Sequence, residues 1–463
     1  MVDCLAFISR LINMVNQVRM LHNLYNSRYN NKAILMILCV VVIVLTIEIS
    51  LVKNYNYTGP ASVYTFIVIA SAYIIGQYYI LEFVGRKAEE IKGKKIIPPV
   101  IHKIVKILQY VLSILLVAVF LQMIIESYYY SIMLASVTYI SYTTAVFMIG
   151  LLSIRFFLWF KSNKNTVVFL YGLASVSLAV NALLTLSFVT SSILNMPIII
   201  RPNLQEIYYL PIPGSTEYLL NLAYTLSSII SFVLTWIATA LLLRSYSQKF
   251  GRIKYWVIIS LPLVYFLSQF PSVSLNLFAP LLNSDPVFYG IVLSVIFNIS
   301  KAAGGILFGV AFWTMTKTVH KDNIVRQYLT VAAVGFVLLF VADQAVVLVN
   351  APYPPLGLAS ISFMGLASYL IFAGIYSSAI SVSHDSQLRR SIRNFAIKET
   401  TRLLDSIGSA HMEQEIQKRV IMLTKRNQDR MAEESGIQCS LTEDDMKEYM
   451  EQVINEVKKA HQH

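Results

Sequence analysis

The chain has 463 residues, of which 56% are hydrophobic and 13% are charged, and its net charge is +12. Soluble proteins are about 25% charged, and here the apolar excess falls in runs long enough to cross a bilayer as helices. Residues 384–463 hold 13 Lys/Arg and 14 Asp/Glu, so the positive charge belongs to the rest of the chain. This composition excludes a soluble fold, and because no basic, aromatic stripe accompanies the charge, no nucleic-acid binding is predicted.

The first 32 residues are predicted to form an amphipathic segment on the cytoplasmic surface. Apolar residues from Leu5 to Leu24 recur at helical spacing, and Arg10 and Arg19 lie among them. Three cysteines, at 4, 39 and 439, offer neither a disulfide framework nor a paired metal-binding motif.

The apolar runs predict an all-α bundle of about ten transmembrane helices within residues 33–382. A run of about 20 apolar residues spans the ~30 Å hydrocarbon core. The predicted spans are 33–52, 62–84, 104–125, 130–153, 166–190, 217–243, 255–278, 290–316, 327–349 and 357–381.

Loop charges give this set an orientation. If the N-terminus is cytoplasmic, the outer connections hold only Lys53 and Arg201, and an odd number of spans would scramble that asymmetry. Both termini are therefore predicted to be cytoplasmic, in a multi-pass plasma-membrane protein. The inner connections then carry Arg86, Lys87, Lys92, Lys94, Lys95, Arg155, Lys161, Lys164, Lys249, Arg252, Lys254, Lys317, Lys321 and Arg326.

Two charges lie deep within the predicted spans. Lys301 lies 16 residues before Lys317, which follows its span, and Asp343 lies 16 residues after Gln327, which begins its span; both are therefore placed roughly 24 Å from the cytoplasmic edge. Their spans follow one another in the chain and are expected to be antiparallel neighbours. A buried Lys301–Asp343 ion pair is therefore predicted, because an unpaired charge there would cost about 2.5–3.5 kcal/mol or more.

Small residues are predicted to let these two spans pack closely. Gly305 and Gly309 follow Lys301 on its own face, and Gly335 lies eight residues before Asp343. Asn181 and Asn298 are polar residues that could line a pocket with the ion pair. Two interpretations stay open: a structural clamp between helices, or part of a pathway for an ion or ligand.

The residues from 383 onward predict a cytoplasmic helical tail. Leu388, Ile392, Leu403 and Ile407 recur near helical spacing, and Gly408 marks a point where this helix could break. A second helix is expected after Thr442, a suitable N-cap followed by three acidic residues. Its apolar stripe must be buried, which favours a protein partner or self-association. The stripe comprises Met446, Tyr449, Met450, Val453, Ile454 and Val457.

The tail stretches "DSIGSAHMEQEIQKRV" and "GIQCSLTEDDMKEYM" resemble the C-terminal region of uncharacterised multi-span membrane proteins of ammonia-oxidising archaea. The resemblance covers mainly the last 80 residues and the ten-span layout. It implies an archaeal plasma membrane and no particular activity, cofactor or site residue.

Two functions are consistent with these features. The first is a sensor or scaffold that passes a membrane or extracellular signal to a cytoplasmic partner through the tail. The second is a transporter or channel whose route passes Lys301 and Asp343. An enzyme is not predicted, because no HExxH, nucleotide-binding loop or GxSxG motif is present, and no catalytic residue, metal or cofactor is assigned.

Overall fold

The fold is described from a computed structural model of the chain. It describes residues 60–90, 99–202, 214–244, 251–270, 286–317, 324–343, 345–350, 352–385 and 399–435, with single residues at 247, 280, 284, 319, 389, 449 and 452. For residues 286–299 only the backbone is described. The predicted N-terminal segment 1–32 and the first span, 33–52, lie outside the described residues.

Helices make up nearly all of the described chain. The first five are α1 Pro60–Glu90, α2 Pro99–Ile125, α3 Ser131–Ser162, α4 Thr166–Leu194 and α5 Thr216–Leu243. They are followed by α6 Arg252–Leu267, α7 Pro286–Thr316, α8 Ile324–Ala342, α9 Ala345–Asn350, α10 Leu356–Ile361, α11 Met364–His384 and α12 Glu399–Ser435. Two short strands, β1 Tyr129–Tyr130 and β2 Ile199–Ile200, pair antiparallel and join the connections before α3 and after α4.

Seven segments of the described chain are long and apolar enough to cross a membrane: Val63–Glu82, Val100–Ile125, Ser131–Ser162, Thr166–Leu194, Thr216–Leu243, Ile324–Val349 and Leu356–His384. They make the chain an all-α protein of the integral membrane class. The predicted seventh span begins with α6, but its residues 271–278 lie outside the described part. The predicted count of ten spans is therefore not established by these helices and stays a prediction.

The two spans predicted at 327–349 and 357–381 are each broken. α8 ends at Ala342 and α9 begins at Ala345, so Asp343 lies at the first break. The second break follows Ile361, where the Ser362 hydroxyl accepts a hydrogen bond from Gln77 of α1. Hydropathy does not register either break, because the residues on both sides are equally apolar.

The centre of the bundle is formed by α8 and by the α10–α11 segment. Of the most apolar 18-residue stretch in each, 88% is buried for Ile324–Val349 and 100% for Leu356–His384, against 33% for Val100–Ile125. Glycines bring these two segments together: a Cβ on Gly374 would lie 2.6 Å from both Ala332 N and Tyr328 O. α11 therefore runs through the protein, with almost no surface left for lipid.

The tail helix α12 is one continuous helix, unbroken at Gly408. Four apolar residues of its first turns are buried against the bundle: Leu403, Leu404, Ile407 and Ala410. A Cβ on Gly408 would lie 2.3 Å from a methyl carbon of Val382 in α11, which is why glycine is required there. Asn165, at the start of α4, donates a hydrogen bond of 2.7 Å to Ser406. The first third of α12 is thus seated on one end of the bundle.

Candidate functional site

Four helices place polar side chains at one point inside the bundle. Lys301 Nζ of α7 lies 2.7 Å from Asp343 Oδ2, at the break after α8. It also donates to the Tyr224 hydroxyl of α5 at 3.0 Å. The Tyr142 hydroxyl of α3 donates to the second carboxylate oxygen, Asp343 Oδ1, at 2.9 Å. We call these four residues the charge network.

The network is enclosed in an apolar environment. Lys301 and Asp343 each expose 9% of their surface, in a protein whose surroundings at this depth are lipid and packed helices. Each charge is compensated by the other, and both carboxylate oxygens accept a hydrogen bond. This complete pairing is what a buried ion pair needs to offset its desolvation.

Tyr224 holds the lysine in two ways. Its hydroxyl accepts the Lys301 hydrogen bond, and Lys301 Nζ lies 5.4 Å from the centre of its ring. Phe188 of α4 stacks on the Tyr224 ring, with ring centres 5.5 Å apart and planes 7° from parallel. A cation near an aromatic face is attracted to it, so α4 and α5 together fix the position of the ammonium group.

A small cavity adjoins the charge network. It is lined in part by Lys301, Asp343, Asn181 and Ser228, and its volume is about 20 Å³, measured as the space open to the centre of a water molecule. About 10–15 Å³ by this measure holds one water. The cavity therefore has room for one or two waters or a small ion, and none for an organic substrate in this conformation.

Aromatic rings close the cavity on the side toward α12. Phe232 contacts three other rings, those of Phe266, Phe308 and Phe340, and it stacks on Phe266 with ring centres 3.9 Å apart. Phe308 follows Lys301 by seven residues, and Phe340 precedes Asp343 by three. Since α7 ends and α8 begins at the side of the bundle that carries α12, these rings lie between the network and that side.

The structure brings together some of the residues predicted as a site and separates others. Lys301, Asp343 and Asn181 all line the cavity, and the Asn181 amide oxygen accepts a 2.9 Å bond from Ser227. The side chain of Asn298 lies outside the described part of the chain. Gly305 and Gly309 face α8, where an added Cβ would lie 2.8 Å from Phe340 and 2.6 Å from Val337.

Gly335 is in a different place from the one predicted. It faces α11, where an added Cβ would lie 2.8 Å from the backbone nitrogen of Ile371, and it does not take part in the contact with α7. Eight residues turn a helix by about 80° beyond two full turns. Gly335 and Asp343 therefore point to different neighbours.

Sequence reasoning missed Tyr142 and Tyr224. Tyrosine in a membrane protein is most common at the ends of spans, where its ring sits at the headgroup level. Both tyrosines instead lie well inside their helices, eleven residues after the start of α3 and eight after the start of α5. That depth was the available signal, because a buried tyrosine hydroxyl needs a polar partner.

A second polar cluster lies where α12 meets α3 and α11. The Tyr376 ring of α11 has Arg155 on one side, 5.1 Å from its centre, and the His411 ring of α12 at 5.8 Å. His384 Nε2 lies 3.5 Å from a carboxylate oxygen of Glu415. Burial lowers the pKa of His411; Glu415 opposes this effect, while Arg155 and His384 add to it.

Within the described ranges, no three His, Cys, Asp or Glu side chains are grouped so that they could hold a metal ion. Comparison with known proteins finds no matching family model, no similar curated protein and no similar solved structure. The site must therefore be interpreted from its own geometry.

Proposed function

We propose that the chain is a ten-span protein of an archaeal plasma membrane that works as a sensor or scaffold subunit. In this proposal both termini are cytoplasmic, and the tail passes a membrane or extracellular signal to a cytoplasmic protein partner. No enzymatic step is part of this role. The observation that carries it is the seating of α12 on α11, the most enclosed helix of the described bundle.

A continuous packed route supports this role. Asp343 directly follows α8, and α8 meets α11 through Gly335 and Gly374, where even a methyl group would overlap backbone atoms. α11 in turn meets α12 through Gly408. Contacts this close leave no space to absorb a shift, so a displacement at the charge network is expected to reach the tail.

Hydrogen exchange tests the coupling directly. We expect Asp343→Asn to speed amide exchange at residues 403–415 in the full-length protein, because the uncompensated Lys301 disturbs α8 and then α11. Phe66→Ala is the control, since it removes a buried ring from α1 and should cost about 3–5 kcal/mol at a helix that is not on the route. Equal protection of 403–415 in wild type and Asp343→Asn would refute the coupling.

A transporter or channel is the second candidate, and a specific observation favours it. α8 is interrupted at Asp343, and polar side chains line a cavity of water or ion size beside it. Interrupted helices with a charge at the break are typical of ion sites in transporters. This role predicts proton or sodium flux in proteoliposomes that is lost in Asp343→Asn and kept in Phe66→Ala. Absence of flux in the wild type, with the exchange coupling present, would favour the sensor.

A further inference from the structure

From its midpoint onward, α12 carries an exposed apolar stripe. Ile416, Val420, Leu423 and Met431 are exposed by 47%, 36%, 59% and 66%, and their spacing puts them on one side of the helix. At 100° per residue, this side lies roughly 150° around the helix from the buried set Leu403, Leu404, Ile407 and Ala410. The stripe is therefore not part of the α12 surface that packs on the bundle, and it points away from that surface.

The apolar residues of segment 441–457 repeat the spacing of the α12 stripe in the reverse order. Along α12, the positions Val420, Leu423, Asn427 and Met431 are separated by 3, 4 and 4 residues. The positions Met446, Met450, Ile454 and Val457 are separated by 4, 4 and 3. The helix predicted after Thr442 fits antiparallel beside α12: Val420, Leu423 and Met431 then meet apolar residues, and Asn427 meets Met450.

The charges of the two segments are also complementary. Residues 416–432 hold five Lys/Arg and one Asp, whereas 441–457 hold six Asp/Glu and one Lys. In the antiparallel register, Arg419 lies on the same side of the stripe as Glu456 and at nearly the same height along the helix pair. Arg430 lies in the same way beside Asp445. A parallel pair of two α12 helices would instead bring like charges together.

In a single chain the α12 stripe has no covering partner among the described residues. Of the acidic segment the structure describes two residues, Tyr449 and Gln452, and both are exposed, Tyr449 by 67%. We propose that two copies of the chain exchange these surfaces, the acidic segment 441–457 of each lying antiparallel on the α12 stripe of the other. Such a reciprocal contact closes into a symmetric dimer. It requires neither signalling nor transport.

Disulfide cross-linking between two tagged copies tests the pairing. Both copies carry Cys4, Cys39 and Cys439 changed to Ser; one then carries Leu423→Cys and the other Ile454→Cys. We expect a cross-linked species that contains both tags after mild oxidation in the native membrane. The matched control replaces Leu423→Cys by Lys425→Cys, an exposed position on the opposite side of α12, and should give no cross-link.

A single copy carrying both Leu423→Cys and Ile454→Cys separates exchange from folding back. A cross-link confined to the monomer overturns the proposal, as does the absence of any cross-link. Charge exchange gives an independent readout: Arg419→Glu or Glu456→Arg alone should weaken the dimer several-fold in native mass spectrometry, and the two together should restore it. An unchanged dimer in both single variants would also overturn the proposed register.

Discussion

At the scale of single residues, the ion pair between Lys301 and Asp343 is the central interaction of the site. Both groups are buried, each has its partner at hydrogen-bond distance, and Tyr142 and Tyr224 satisfy further bonds of the pair. Removing one partner leaves the other charge buried and uncompensated, whereas removing both leaves an apolar site.

Lys301→Met should therefore lower the free energy of unfolding by about 3–5 kcal/mol. The double variant Lys301→Met with Asp343→Leu should recover most of that loss, because no charge remains buried. Denaturant unfolding in mixed micelles measures both, and Lys317→Met, at an exposed end of α7, is the control that should change little. A double variant as unstable as the single one would show that the pair is not the source of the effect.

Glycines provide a second prediction at this scale. Gly374→Ala should destabilise the bundle by about 1–3 kcal/mol, because its Cβ would overlap backbone atoms of α8. Gly150 of α3 has no atom within 4 Å of an added Cβ, so Gly150→Ala is the matched control and should be neutral or slightly stabilising. Thermal unfolding measures both; equal melting temperatures would contradict the close contact of α8 and α11.

Part of this site can be predicted from the sequence, and there are physical reasons why the other part cannot. Lys301 and Asp343 stand out because charge is rare in a span and their depths agree. Tyr142 and Tyr224 do not, because tyrosine is common in these helices and its partner cannot be inferred from one helix. Gly335 was assigned to the wrong neighbour for a related reason: spacing identifies a face of α8, and α8 has two close neighbours.

At the scale of elements, hydropathy predicts where apolar helices lie and not where they break. α1 to α5 fall where the runs predict them, since each run is a long uniform stretch. The breaks at Asp343 and Ser362 depend on hydrogen bonds to Lys301, Tyr142 and Gln77, which come from distant parts of the chain. The continuity of α12 through Gly408 likewise depends on its contact with Val382.

The docking of α12 should depend on pH. Burial lowers the pKa of His411, so the undocked helix, with an ordinary pKa of about 6.5, binds more protons than the docked one. Docking is then at full strength above about pH 6.5 and weakens as the pH falls below it. Amide exchange at 403–415 should rise between pH 7.5 and 5.5 after correction for intrinsic rates.

His411→Gln is the variant that isolates this effect. It should flatten the pH dependence, while His384, Glu415 and Arg155, the charged or titratable groups around His411, remain. A pH dependence that is the same in His411→Gln would show that another group is responsible.

At the scale of the whole molecule, the proposed orientation can be tested by labelling. Lys164 and Arg201 are exposed residues on either side of α4. In a background with Cys4, Cys39 and Cys439 changed to Ser, Arg201→Cys should react with a membrane-impermeant maleimide in intact cells. Lys164→Cys should react only after the membrane is opened. Reaction of both from the same side would contradict the predicted topology.

The enclosure of α11 has a consequence for how the protein is made. Among the described membrane-length segments, Leu356–His384 is the last in the chain and also the most completely buried. The helices that surround it leave the ribosome earlier and must hold a place in the bilayer until it arrives. A nascent chain that stops before residue 356 then lacks its central helix. Its other helices expose to lipid the surfaces that α11 would cover, and quality control in the cell would meet the chain in that state.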